Sequence, residues 1–350
     1  MALIRNAFYI LFMTIFTLIA LEVVLFAAFS IRDIVSGNEA PKTSENPNQD
    51  EETRRFQNDA QSFQSYPYKA FVGWQSPQIS SETLNIDDNL RRITVNSNPP
   101  TDHKVHFFGG STMWGHSVSD KNTIPSHFSN LTGKTAINYG EQAYNSRQSL
   151  NRLLNTLDSI EPGDNVVFFD GVNDVYHNCL SLNSPDGHPR EGFIKEKLSG
   201  KSGSIWMLVS STSTYRLAHR ISEKLDSGDN GQRFDDLNQC SDPAYAQRVA
   251  DFLISSWAAT EAIVNSRGAR FSCVLQPNPY TLPDRPFSHN ETYAAQIQQV
   301  YPLIREKAQE LDCFQDYSGI LQQDFYIDHC CHVNAQGNLE IARRFAQDLN

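Results

Sequence analysis

Short apolar runs that each stop at a glycine are the feature that most restricts the possible folds. Residues 104–108, 135–139 and 165–170 are such runs, and a glycine follows each of them. Residues 270–276, which stop at a proline, and the weaker run 313–317 extend the series. Longer segments separate the runs. Strands that alternate with helices pair in parallel through right-handed crossovers, so the pattern predicts an α/β fold, a three-layer α/β/α doubly wound parallel sheet.

Three of the intervening segments have apolar residues three and four positions apart, which is typical of amphipathic helices. They are residues 244–266, 289–311 and 334–349. Pro302 lies inside the second segment and predicts a kink or a break there, because proline lacks the N–H that an inner helical position donates. Reactive side chains of doubly wound sheets collect at the carboxyl ends of the strands. The residues that follow the glycine-terminated runs are therefore the first candidates for a functional site.

A continuous apolar segment opens the chain. Residues 7–29 are almost all Ala, Leu, Ile, Val, Phe and Met, and roughly 23 residues at about 1.5 Å each can cross a bilayer. A cleaved signal peptide or a buried core helix are the alternatives, and the length favours a retained anchor. We expect a single-pass transmembrane signal anchor over residues 1–35. The flanking charges do not settle its orientation. An uncleaved N-terminal span before a folded domain favours an extracytoplasmic position of that domain.

The rest of the chain divides by composition. Residues 36–64 are rich in Asn, Glu, Asp, Ser, Pro and Gln, which predicts a flexible polar linker. Residues 65–350 then form the main domain. Inside it, residues 179–243 are too long for a simple connection and contain one amphipathic piece, 204–225. This insertion could line or cover the functional site, or it could be a purely structural flap.

Charge and cysteine content exclude several classes of function. The net charge is −11, with 40 acidic and 29 basic residues, and no run of Lys and Arg is present. Nucleic acid is therefore not an expected partner. The six cysteines lack C-x-x-C spacing, and their pairing cannot be deduced.

The four neighbouring residues His329, Cys330, Cys331 and His332 cannot readily converge on one tetrahedral ion. We therefore expect no metal and no cofactor. Cys330 and Cys331 fit packing positions, or one half of a disulfide to Cys313 or to another partner. The oligomeric state is left open by the sequence.

Three residues after the glycine-terminated runs suit acyl chemistry. Ser111 follows two glycines, so its hydroxyl would stand at a strand-to-helix turn with its own N–H available to an oxyanion. The elbow of α/β-hydrolases is excluded, because G-x-S-x-G would need glycine where Met113 stands. Gly140 and Asn173 could supply a backbone N–H and an amide to the same oxyanion. Each residue alone also fits a structural role: Gly140 fits a turn residue, and Asn173 fits a helix cap.

A histidine near the C-terminus could complete this chemistry. His332 directly precedes the last predicted helix, within the string His-Val-Asn-Ala-Gln-Gly-Asn. An imidazole there could act as general base, with a carboxylate a few residues earlier fixing its tautomer.

In this order the four blocks resemble the SGNH hydrolase family, also called GDSL esterases and lipases, of the membrane-anchored bacterial type. The resemblance covers about residues 105–350 and implies an SGNH/flavodoxin-like fold. It implies a catalytic triad of Ser111, Asp328 and His332, and an oxyanion hole of Ser111, Gly140 and Asn173.

Two positions depart from the family pattern. The usual Gly-Asp-Ser reads Gly-Gly-Ser, and the family aspartate stands three residues before the histidine, where this chain has His329. Asp328 lies four before, so the assignment requires one residue of slack in the loop. Without that slack, His332 would use a carbonyl or another carboxylate such as Asp324.

The resemblance implies a serine esterase that hydrolyses O-acyl esters, with an acylated carbohydrate, such as acetyl groups on an envelope polysaccharide, as the ester substrate. The membrane would be a partner through the N-terminal helix. Two alternatives stay open. The same nucleophile could pass the acyl group to a sugar hydroxyl, as an O-acetyltransferase of polysaccharide assembly, or the chain could be a catalytically silent carbohydrate-binding protein.

Overall fold

The chain forms two units in the computed structural model. Met1–Glu45 and Gly192–Arg233 make up the first unit, and Asn46–Glu191 and Phe234–Asn350 make up the second. The structure describes residues 2–36, 51–60, 66–96, 98–180, 183–198, 212–215, 217–218, 238–283 and 290–349.

A parallel sheet of five strands is the centre of the second unit. Two short antiparallel hairpins precede it: β1 (Tyr68–Lys69) with β2 (Gly73–Trp74), and β3 (Ile79–Ser80) with β4 (Asn85–Ile86). The sheet strands are β5 (Lys104–Gly109), β6 (Thr135–Asn138), β7 (Asn165–Asp170), β8 (Arg270–Leu275) and β9 (Phe314–Asp316). Their order is β6-β5-β7-β8-β9, which is the 2-1-3-4-5 order of flavodoxin-like folds. The predicted doubly wound α/β class is confirmed.

Helices cover both faces of this sheet. The α-helices whose bounds lie in the described parts of the chain are α1 (Ala2–Ser36), α2 (Glu51–Ala60), α3 (Ser111–Trp114), α4 (Ile124–Thr132), α5 (Ser146–Asn155), α6 (Val172–Asn178), α7 (Glu191–Leu198), α8 (Pro243–Ser266), α9 (Glu291–Ala308) and α10 (Ala335–Asp348). Successive strand residues point to opposite faces. Phe108 therefore packs in one core with Trp257 of α8 and Ile297 of α9, whereas Phe107 packs in the other with Phe345 of α10. These two cores produce the predicted three layers.

The helix that contains Pro302 is continuous. α9 runs from Glu291 to Ala308 with the proline inside it, so a break at Pro302 does not occur. Ile297, Val300, Tyr301 and Ile304 are buried on the same helix, and this apolar face outweighs the loss of one backbone hydrogen bond.

In the first unit, α1 contains the apolar segment Phe8–Ile31, 24 residues with a mean hydropathy of 2.6. It is long and apolar enough to cross a membrane, and an N-terminal signal sequence meets the same criteria. Glu22 on this helix accepts hydrogen bonds from the backbone N–H of Ser213 and from the N–H and hydroxyl of Thr214. Most of the predicted amphipathic piece 204–225 and much of the insertion 179–243 lie outside the described residues.

A ten-residue helix, α2, lies within the stretch predicted to be a flexible linker. Phe56 on this helix is buried and packs with Leu84, Ile86 and Trp114, and Arg55 is paired with Glu51. The linker prediction is therefore wrong for residues 51–60; residues 37–50 and 61–65 lie outside the described residues. One aromatic residue in a polar stretch produces no periodic signal, so its burial depends on tertiary packing that the sequence pattern does not reveal.

Replacing Phe56 by alanine is expected to lower the free energy of unfolding by about 3 to 5 kcal/mol, since this is the usual cost of truncating a buried phenylalanine. Denaturant unfolding of the full chain in detergent measures the effect. Tyr68→Ala is the matched control, because Tyr68 is 80% exposed. Equal unfolding midpoints for both variants would mean that α2 does not pack against the rest of the second unit.

Four of the six cysteines form disulfides. Cys179 pairs with Cys240 at the base of the insertion, and Cys273 on β8 pairs with Cys313 just before β9. Because Cys313 is paired with Cys273, the alternative of a disulfide from Cys330 or Cys331 to Cys313 is wrong, whereas the alternative of packing positions agrees with their place at a hydrophobic core. Both of these neighbouring cysteines are free thiols.

Candidate active site

Ser111 lies at the carboxyl end of strand β5, between β6 and β7 in the sheet, and it begins α3. The chain reaches it through Gly109, whose φ is +153° and where a Cβ would lie 2.5 Å from the carbonyl oxygen of Phe169. A Cβ on Gly110 would lie 2.4 Å from Asn173 Nδ2. Glycine at 110 therefore allows the Asn173 amide to lie against the backbone beside the serine.

The serine and the C-terminal histidine meet at this edge of the sheet. His332 Nε2 lies 2.7 Å from Ser111 Oγ, although 221 positions separate the two residues. His332 Nδ1 forms a hydrogen bond with Asp328 Oδ2. With Nδ1–H donating to the carboxylate, Nε2 is left to accept the Ser111 hydroxyl proton. The three side chains therefore form one connected hydrogen-bonded row.

The one-residue shift of Asp328 is absorbed by a tight turn around its carboxylate. Asp328 Oδ1 accepts the backbone N–H groups of Cys330 at 2.9 Å, Cys331 at 3.1 Å and His332 at 3.3 Å. The other oxygen is therefore directed at the imidazole. His329 and the alternative acid Asp324 are both exposed, so the structure brings Asp328, and not Asp324, to His332.

In the pair of His332 and Asp328, charge and burial shift the pKa values in opposite directions. Burial lowers the pKa of His332, but the Asp328 carboxylate outweighs it and raises the pKa to about 9. Burial also disfavours the charged form of Asp328. The charge and hydrogen bond of His332, together with the Cys330 N–H, nevertheless hold the pKa of Asp328 well below its usual range. Asp328 is therefore ionised at any pH near neutrality.

Buried side chains hold the turn between Asp328 and His332 from the sheet side. The hydroxyl of Thr112, next to the serine, donates to the carbonyl of Cys331 at 3.3 Å, and it accepts from Gln276 Nε2 at 2.7 Å. Asn278 Nδ2 donates to the carbonyl of Cys330 at 3.3 Å. These bonds fix His332 relative to the carboxyl ends of strands β5 and β8. No sequence pattern singles out these polar residues.

Asn173 approaches the serine from the third strand. It follows Gly171 at the end of β7, and its Nδ2 donates to the carbonyl of Tyr144 at 2.8 Å. The chain turns sharply just before that carbonyl, because Ala143 has a φ of +60°. An amide NH2 carries two donors. One Asn173 N–H is used in this positioning bond, and the second can reach an oxyanion beside Gly110.

Gly140 lies against α3, but its N–H has a partner. A Cβ on Gly140 would lie 2.4 Å from Trp114 N, so only glycine allows this close approach. The Gly140 N–H donates to Asn138 Oδ1 at 2.9 Å, and Asn138 Nδ2 donates to the carbonyl of Met113 at 3.1 Å. Gly140 can therefore serve an oxyanion only when the Asn138 side chain releases its N–H.

A second histidine, which sequence reasoning missed, packs on the base. The rings of His116 and His332 lie 4.2 Å apart, centroid to centroid, at 33°. Gln142 Nε2 lies 3.3 Å from His116 Nδ1. Burial, together with the nearby charge of His332, lowers the pKa of His116 to about 3. His116 is therefore neutral near pH 7 and supports the His332 ring without adding a second positive charge.

The described residues contain no group of three or more His, Cys, Asp or Glu side chains that could hold a metal ion. The groups that this site does bring together are the Ser111 hydroxyl, the His332 imidazole, the Asp328 carboxylate and the Asn173 amide. These groups suit nucleophilic attack on a carbonyl carbon.

Comparison with known proteins gives matches at the level of fold. No family model matches the chain, and no curated protein matches its sequence. A solved carbohydrate acetylesterase family member from Sinorhizobium meliloti shares 15% identity, covering 71% of this chain and 97% of that chain, with a TM-score of 0.42. A lipolytic protein of the G-D-S-L family from Veillonella parvula shares 13% identity, covering 70% and 97%, with a TM-score of 0.41.

An acetyl xylan esterase shares 15% identity with the chain, covering 71% of this chain and 100% of that chain, with a TM-score of 0.40. All three likenesses are below 25% identity and concern the fold alone. A shared fold does not define activity, so the function of this chain has to be argued from its own site.

Proposed function

We propose that the chain is a serine esterase of the SGNH type, a carboxylic ester hydrolase that acts on O-acyl esters. The observation that carries the proposal is the row of Ser111 Oγ, His332 Nε2 and Asp328, with 2.7 Å between the hydroxyl and the imidazole. A nucleophile, a base within hydrogen-bond reach and a third group that orients the base are the parts that an activated serine needs.

In the proposed mechanism, His332 Nε2 takes the proton of Ser111 as the serine oxygen attacks the ester carbonyl carbon. The oxyanion accepts hydrogen bonds from the Ser111 N–H and from the second Asn173 N–H, with the Gly140 N–H as a third donor if Asn138 turns away. The intermediate collapses, and His332 gives its proton to the leaving alcohol. Water then attacks the acyl-enzyme by the same route and releases the acid.

The anchor and the disulfides together support an extracytoplasmic location. An N-terminal apolar helix long enough to cross a bilayer would hold the catalytic unit at a membrane. The pairs Cys179–Cys240 and Cys273–Cys313 favour an oxidising compartment such as the periplasm. An esterase held there would face envelope polysaccharides, and we take their O-acetyl groups as its substrate class.

The test uses the full chain purified in detergent. We expect it to hydrolyse p-nitrophenyl acetate and to react covalently with a fluorophosphonate probe at Ser111, identified by peptide mass spectrometry. Absence of both reactions in the folded protein would overturn the esterase assignment in favour of a silent binding protein. Acetylated sugar instead of free acetate, when an oligosaccharide acceptor is added, would identify an acetyltransferase.

Replacing Asn173 by alanine is expected to lower kcat about 100- to 1000-fold, because removing one oxyanion donor typically costs about 2.7 to 4 kcal/mol of transition-state stabilisation. KM should change little, since the amide acts mainly on charge that develops in the transition state. Steady-state kinetics with p-nitrophenyl acetate measures both.

The matched control for this amide is Asn151→Ala on α5. Asn151 Nδ2 donates to the carbonyl of Phe71 and lies outside the site, so its kcat should stay near that of the original protein. A near-normal kcat for Asn173→Ala would remove Asn173 from the oxyanion hole.

A further inference from the structure

Two adjacent thiols form part of the turn that joins the acid to the base. Cys330 and Cys331 are free, whereas the other four cysteines form two disulfides. The sulfur atoms of Cys330 and Cys331 lie 2.8 Å apart. This separation is only about 0.8 Å longer than a disulfide bond of about 2.05 Å, so bond formation requires little movement of the sulfurs.

The same two residues supply the contacts that hold the base in place. The N–H groups of Cys330 and Cys331 donate to Asp328 Oδ1, and the carbonyl of Cys331 accepts from Thr112 beside the serine. Any rearrangement of the peptide between the two cysteines therefore acts directly on the Asp328 carboxylate and on the position of His332.

The environments of the two thiols differ in a way that suits stepwise oxidation. Cys330 is partly exposed, whereas Cys331 is 2% exposed. Burial raises the pKa of the Cys331 thiol, but the contact with Cys330 and the positive charge of His332 outweigh it and lower the pKa below its usual value. The contact with Cys331 and burial raise the pKa of the Cys330 thiol, so its attack on an oxidant is the slow first step. Cys330 is nevertheless the thiol that an oxidant can reach, and Cys331 is the better thiolate for the second step.

We propose that Cys330 and Cys331 are a reversible redox pair that closes into a disulfide between adjacent residues, and that closure slows catalysis at Ser111. The second half of this proposal rests on the proposed esterase function. The oxidant is a small or protein disulfide of the kind present in an oxidising compartment.

The reaction is thiol–disulfide exchange in two steps. Cys330 loses its proton to solvent and attacks one sulfur of the oxidant, which breaks the S–S bond of the oxidant and releases one thiolate. Cys331 thiolate then attacks Cys330 Sγ in the mixed disulfide and releases the second thiolate. The protein loses two electrons and two protons, and the oxidant gains two electrons and, after protonation, becomes two thiols.

A disulfide between Cys330 and Cys331 should disturb the site, because it closes a small ring that contains the peptide bond between them. Adjacent Cα atoms lie about 3.8 Å apart across a trans peptide, whereas disulfides usually join Cα atoms about 4.4 to 6.8 Å apart. The peptide that presents the Cys331 N–H to Asp328 must therefore rearrange. A misplacement of about 1 Å can cost about 100-fold in rate, so we expect kcat to fall roughly 10- to 100-fold on oxidation.

The test uses the full chain in detergent, equilibrated with glutathione disulfide and then alkylated. Mass spectrometry of the peptide that contains both residues should show no alkyl group and no glutathione, and two alkyl groups after mild reduction with reduced glutathione. Cys331→Ser is the matched control, since it should retain glutathione on Cys330. A wild-type peptide that retains glutathione like this variant, or that stays fully alkylated, would overturn the redox pair.

The kinetic arm measures kcat in the same samples. The oxidised protein should lose activity and recover it on mild reduction, whereas the kcat of Cys330→Ser should not respond to the oxidant. Closure of the pair without a change in kcat would overturn the coupling to catalysis. If the reduced protein shows no esterase activity, the proposed function fails, while the peptide masses still decide whether the redox pair exists.

Discussion

Replacing Ser111 by alanine is expected to abolish ester hydrolysis, with a fall in kcat of about 10⁴- to 10⁶-fold. The serine oxygen forms the acyl bond in the proposed mechanism, and His332 Nε2 at 2.7 Å is positioned to take its proton. Alanine removes both the nucleophile and the hydrogen bond. A small residual rate over water should survive, because the oxyanion donors still bind the carbonyl oxygen. Initial rates with p-nitrophenyl acetate and loss of fluorophosphonate labelling measure the effect.

The matched control is Ser129→Ala, since Ser129 is also a buried serine but lies on α4, where its hydroxyl donates to the carbonyl of Lys134. Its kcat should remain within a few-fold of the original value. A folded Ser111→Ala protein that still hydrolyses the ester at a comparable rate would show that another group is the nucleophile. The mechanism proposed above would then be wrong.

The position of Ser111 could be predicted because the strand pattern is strong. The predicted run 165–170 has the same bounds as β7, and the runs at 104 and 135 begin where β5 and β6 begin. Each is apolar and stops at a glycine, so local signals and tertiary burial agree. The crossover rule then places the residues that follow these strands at one edge of the sheet.

The hydrogen bonds that hold the site residues in place could not be predicted, because they depend on short-range geometry in three dimensions. Spacing alone left Asp328 and Asp324 as alternatives, and the turn that wraps three N–H groups around Asp328 Oδ1 has no sequence signature. The hydrogen bond from Gly140 N–H to Asn138 is equally invisible in the sequence. His116 was missed for the same reason, since its role depends on stacking against a residue far along the chain.

Replacing Asp328 by asparagine is expected to lower kcat by about 10⁴-fold, as the corresponding change does in a serine protease triad. The carboxylate accepts the Nδ1–H of His332 and so leaves Nε2 free to receive the serine proton. An amide can donate to Nδ1 instead, which places the imidazole proton on Nε2. The base is then in the wrong tautomer, although all three residues keep their places. Asp324→Asn is the control, and it should retain activity because Asp324 is exposed and outside the row.

The pH dependence distinguishes this electrostatic role from a purely structural one. His332 must be neutral to act as a base, and its pKa is raised to about 9, so kcat/KM of the original enzyme should increase as the pH rises through about 9. Asparagine removes the charge that raises this pKa, and the remaining activity of Asp328→Asn should reach its plateau at a lower pH.

The stabilisation of the fold by the charged pair of His332 and Asp328 is fully present below the unfolded-state pKa of histidine, about 6.5, and is lost as the pH rises through about 9. Asp328→Asn should therefore destabilise the fold more at pH 6 than at pH 10. An unchanged pH profile for Asp328→Asn, or an equal loss of kcat in Asp324→Asn, would contradict the assignment of Asp328 as the acid.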